Sequence, residues 1–62
     1  MYIMKTFRRK KLADKFAINE LIGMQYFTDK EYKKAKEIKE YMSTYYKEHE
    51  LPLIVELQRL EV

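Results

Sequence analysis

The amino-acid pattern predicts an all-α domain: a small antiparallel helical hairpin with a third, C-terminal helix. An α+β variant, the same hairpin with short N- or C-terminal strands, is the alternative. Three observations lead there. Thr28-Asp29-Lys30-Glu31 has the form of a helix-starting capping box, with Phe27 and Tyr32 placed to staple across the first turn. Apolar residues recur behind it at three- and four-residue steps. One Gly and one Pro leave little chain for long loops.

Residues 1–6 are either a frayed arm or a short strand, because Tyr2, Met4 and Thr6 alternate only loosely with Ile3 and Lys5. From about Phe7 the pattern turns helical, and a helix is expected over about 7–26. Leu12, Ala13, Phe16, Ala17, Met24 and Phe27 share one stripe of it, while Ile18, Leu21 and Ile22 fall opposite. Its second half is therefore apolar almost all round, which demands burial on two faces or a change of direction near Ile18-Asn19.

The helix after Thr28 is expected over about 29–49. Tyr32, Ala35, Ile38, Met42, Tyr45, Tyr46 and His49 line one side, with Lys33, Glu37, Glu40, Thr44 and Lys47 opposite. It should end near Glu50, because Pro52 disfavours helical geometry at Leu51. Beyond Pro52, Leu53, Ile54, Leu57 and Leu60 fit a third helical stripe. Leu-Ile-Val there also favours a strand, which would need residues 2–7 or a second subunit beside it.

Sixty-two residues make one domain, residues 1–62, which buries only about 60% of the surface its unfolded chain exposes. With no Cys and a single His, self-association is the remaining device for stability. At 47% hydrophobic and 37% charged, the chain is too apolar for a disordered polymer and too charged for a membrane span. Arg8-Arg9-Lys10-Lys11 runs into charged Asp14 and Lys15 rather than an apolar stretch, so no secretory signal is expected and a cytoplasmic location is the default.

The net charge of +3 is unevenly spread: residues 1–17 hold six basic side chains against one acidic, and residues 18–62 hold seven against nine. Lys5, Arg8, Arg9, Lys10, Lys11 and Lys15 are therefore candidate contacts to nucleic-acid phosphates, although the same residues also read as a solvated charged face.

Two short segments resemble known families. Leu12-Ala13-Asp14-Lys15-Phe16-Ala17-Ile18-Asn19 resembles the first helix and turn of a helix-turn-helix motif, with Ala13, Phe16 and Ile18 as its packing residues; that implies DNA binding. It departs from the family at Ala17, where Gly is usual, and at Gly23, which falls on an aliphatic position. Over residues about 18–38, Leu21, Phe27-Thr28-x-x-Glu31-Tyr32, Lys36 and Ile38 look like the short helical hairpin called the SHOCT domain, with Gln25-Tyr26 in place of its turn Gly. That resemblance implies helical pairing, oligomerisation or an adaptor role.

No enzyme is expected. His49 has no Cys beside it, Glu48 and Glu50 point away from it on a helix, and Ser43-Thr44 lacks a placed base, so no catalytic residue, cofactor, metal or small-molecule substrate is assigned. The expected function is a protein–protein interaction module, a regulator, adaptor or inhibitor of the kind phages and mobile elements often encode. It would work as a homodimer or on a protein partner through Leu21, Ile22, Tyr26, Tyr41 and Tyr46. The alternative is a nucleic-acid-binding protein or small transcription regulator that uses residues 5–15.

Overall fold

The computed structural model describes residues 1–61 and places them in a three-stranded antiparallel sheet with one helix laid across it. Strand β1 spans Tyr2–Ala13, β2 spans Phe16–Phe27 and β3 spans Leu53–Arg59. A single 3-10 turn, Asp29–Glu31, leads into helix α1, Tyr32–Glu48. The sheet order is β2-β1-β3, and both outer strands run antiparallel to β1. β2 and β3 are thus parallel to each other, and α1 is the crossover between them.

This overturns the all-α expectation and its α+β variant. Residues 7–26 form no helix, so there is no helical hairpin for α1 to pair with, and the tail is a strand rather than a third helix. Residues 12–19 are the tip of a β-hairpin, and residues 18–27 lie within β2. Two causes hid the hairpin. Its turn, Asp14-Lys15, carries neither Gly nor Asn, and neither residue has a positive φ, so the usual hairpin signal is missing. The register also slips twice, leaving Ile22 of β2 and Leu12 of β1 without partners, and each slip breaks the two-residue alternation that marks a strand.

The tail pairs with β1 from Tyr2↔Arg59 to Arg8↔Leu53, the partner that a strand there was expected to need. Period-two patterning then holds: Leu53, Val55 and Leu57 share the face of Met4 and Thr6, and Ile54, Glu56 and Gln58 take the other.

The core lies between α1 and one face of the sheet. Met4, Phe27, Ala35 and Val55 are its buried residues, with Tyr2, Ile38, Met42, Tyr46 and Leu57 packed around them. Burial of side chains such as Met, Phe and Val is worth about 1.5–3 kcal/mol each, so the core is a small one. Of the apolar stripe expected on α1, Ala35, Ile38, Met42 and Tyr46 face the sheet, whereas Tyr45 and His49 belong to an outer aromatic row.

The helix boundaries stand where the sequence put them. The Thr28 amide and hydroxyl both donate to the Glu31 carboxylate at 3.0 Å, and the Glu31 amide donates to the Thr28 carbonyl at 3.0 Å. Phe27 is in the core rather than stapled to Tyr32, whose ring lies 4.7 Å from that of Tyr2. At the other end the Glu50 amide donates to the Lys47 carbonyl (3.2 Å) and the Leu51 amide to the Tyr46 carbonyl (2.8 Å). That pair of bonds is a Schellman cap, and it holds Glu50 at φ 53°, a left-handed conformation that glycine adopts without cost.

Two outcomes follow from the caps. Glu50→Gly should stabilise the fold by about 1 kcal/mol, seen as a melting temperature about 4–8 °C higher. The Glu31 carboxyl is held below its ordinary pKa, first by the Thr28 amide and then by its hydroxyl. A carboxylate whose folded pKa is depressed contributes fully above its unfolded value, about 4.3, and loses that contribution as pH falls through the folded one. Glu31→Gln should therefore melt below the parent at pH 7, and thermal melts of the two should converge as the pH drops below about 4.

Candidate functional site

α1 covers one face of the sheet, and the rows facing the other way have no second layer over them. Strand alternation places Ile3, Phe7, Tyr26, Met24, Leu21 and Ile54 there, with Lys5, Glu56 and Gln58 among them. Antiparallel sheets with one open side ordinarily present polar residues on it. Here Leu21, Met24 and Tyr26 are each about half exposed, and Ile3 is buried between its cross-strand neighbours Tyr26 and Gln58. The free edge of β2 adds Phe16, Ile18 and Ile22 to the exposed apolar residues, and Glu20 is the single charged residue along that strand. Strand edges are usually protected by several charges or a proline.

The hairpin continues past the end of β3. The last β1–β3 pair is Arg8↔Leu53, followed by one hydrogen bond from the Arg9 amide to the Pro52 carbonyl at 2.7 Å. From Lys10 to Ile18 the chain is a two-stranded ribbon, four residues of strand or about 13 Å beyond the three-stranded body. Arg9, Lys10, Lys11 and Lys15 are exposed on or beside it. Arg9, Lys11 and Lys15 line one open hollow with Ala13, Asp14, Phe16, Ala17 and Pro52.

The six basic residues singled out in the sequence therefore separate into two groups. Arg9, Lys10, Lys11 and Lys15 make no ion pair among the described residues. Arg8 donates to Glu20 at 3.0 Å and lies half exposed at the ribbon's base, and that hydrogen bond and the Arg8 charge keep the Glu20 carboxyl below its ordinary pKa. Lys5 lies within the sheet body, opposite Glu56. Arg8 and Lys11, three residues apart on β1, point to opposite faces of the strand, and Lys15 lies in the turn.

The five expected interface residues also divide. Leu21, Ile22 and Tyr26 lie together on β2 and are all about half exposed. Tyr41 and Tyr46 are on α1, the other layer: Tyr46 packs on the core, while Tyr41 is 71% exposed. Tyr41, Tyr45 and His49 follow one another along the outside of the helix, with ring centroids 6.5 and 4.0 Å apart. His49 Nδ1 donates to the Tyr45 carbonyl at 2.9 Å, a side-chain contact at the end of the helix. Exposed Met24 and partly buried Phe7 and Ile54 share the open face but were not among the expected interface residues. Their signal was the apolar alternation with Lys5 and Glu56 on the same face, which becomes visible only once the strands are paired.

Among the described residues no three His, Cys, Asp or Glu side chains converge as a metal site, and no helix is long and apolar enough to cross a membrane. Comparison with known proteins finds no matching family model, no similar curated protein and no similar solved structure.

Proposed function

We propose that this chain is a small protein–protein interaction module that acts as a homodimer through the uncovered face of its sheet. The observation that carries the reading is a surplus of surface. A compact chain of this size exposes about 4,300 Å². This one exposes 5302 Å². The difference, about 1,000 Å², is comparable with the area of about 800 Å² that each partner buries in a standard interface. The radius of gyration repeats the point: it is 13.1 Å, against about 10.6 Å expected for a compact domain of this length. Part of the surplus is the projecting ribbon, and part is the apolar face.

Charge favours a second copy as the occupant of that face. Lys5 and Glu56 stand opposite each other on neighbouring strands, so a two-fold axis through the patch can set each against its opposite in the other subunit. A dimer of this kind serves a regulator, adaptor or inhibitor by presenting two identical outer surfaces, including the Tyr41-Tyr45-His49 row.

Sedimentation equilibrium tests the reading. The parent chain should be a dimer, and Leu21→Glu with Met24→Glu, both at exposed positions, should weaken association at least tenfold, about 1.4 kcal/mol or more. Tyr41→Ala, on the other layer, should leave it unchanged. A parent chain that stays monomeric up to about 1 mM, an affinity of only about 4 kcal/mol, overturns the proposal.

A further inference from the structure

We infer that the projecting ribbon, residues 10–18, together with Arg9 at its base, binds double-stranded DNA by entering its major groove. Four cations without ion-pair partners are gathered on a piece of structure that contributes nothing to the core: Arg9, Lys10, Lys11 and Lys15. Strand alternation sends Arg9 and Lys11 to one face of the ribbon and Lys10 to the other, and Lys15 sits in the turn. Cations on both faces suit a groove walled by two phosphate backbones, where one flat surface would need them on one side only.

Size agrees. The two strands stand about 4.8 Å apart, and a B-form major groove about 12 Å wide admits a two-stranded ribbon. The same ribbon carries exposed apolar side chains, Leu12, Phe16 and Ile18, which match thymine methyl groups on the groove floor. Arg9, Lys11 and Lys15 line one open hollow that also holds Asp14, so it presents three cations against one carboxylate.

Two other polyanions fit less well. The A-form major groove of an RNA duplex is too narrow and deep for a ribbon. A lipid surface would have to take in the turn itself, and that turn is Asp14-Lys15, two charges whose burial in hydrocarbon is costly. The inference is independent of the dimer, since the ribbon lies beyond the three-stranded body whose face the dimer uses.

The test is fluorescence anisotropy of a labelled 20-base-pair DNA duplex titrated with the full chain. Binding should weaken about a hundredfold between about 50 and 200 mM salt, as expected for four phosphate contacts at a slope of about −0.9 each. Arg9→Gln, Lys10→Gln, Lys11→Gln and Lys15→Gln together should abolish most of that binding and its salt dependence. Circular dichroism should be unchanged, because all four side chains are exposed. Lys33→Gln, Lys36→Gln and Lys39→Gln, on α1, should have little effect. Absence of DNA binding by the parent at about 50 mM salt overturns the inference. So does equal loss from the α1 lysine variant, equal affinity for an RNA duplex, or binding to vesicles containing phosphatidylserine in preference to DNA.

Discussion

One helix is all the cover this sheet has, and it is shorter than the strands it must cover. Seventeen residues of α-helix span about 26 Å, whereas twelve residues of strand span about 40 Å. Where the helix reaches, the sheet is protected: Met4 and Val55 are buried beneath Ala35 and its neighbours. Where it stops, the hairpin runs on as a bare ribbon and strands β1 and β2 hold only each other. The same shortage of material leaves the second face of the sheet open. Small core, apolar open face and basic ribbon are three results of that one mismatch.

Position along the chain thus sorts the residues by task. Those before Arg8 and after Glu20 belong to a layer that must be packed, and their apolar side chains are spent on the core or on the open face. Those between are free of packing demands, so the hairpin can carry five cations within eight residues without burying any of them. A run such as Arg8-Arg9-Lys10-Lys11 would be intolerable in a strand covered on either side, since one of each adjacent pair would face the core.

What could be read from the sequence, and what could not, follows from how far each signal reaches. Helix α1 was legible at both ends because its start and stop are local chemistry, the Thr28–Glu31 bonds and the cap at Glu50, completed within a few residues. The hairpin was not, because strand pairing joins Tyr2 to Phe27 across the chain and its local marks are weak: cations occupy both faces of β1, and apolar and polar residues mix on both faces of β2. Continuous apolar runs fit a helix stripe as well as a strand, and residues 16–27 fit both periods. The cations and the apolar trio Leu21, Ile22 and Tyr26 were marked by composition alone, which survives a change of secondary structure. Tyr46, by contrast, is partly buried against the core, a contact that exists only once α1 lies on the sheet.

The two register slips have an effect beyond hiding the hairpin. They lie on opposite strands, one extra residue each, and so cancel: outside them the pairing follows the same frame, Tyr2↔Phe27 at one end and Ala13↔Phe16 at the other. Only the interval between is displaced by one place, and there Glu20 meets Arg8. In an unbroken ladder with the same ends, Glu20 would stand opposite Arg9. The paired bulges work as a vernier on the hairpin: they set the one acidic side chain of β2 against the arginine nearest the body, and the cations farther out make no ion pair among the described residues.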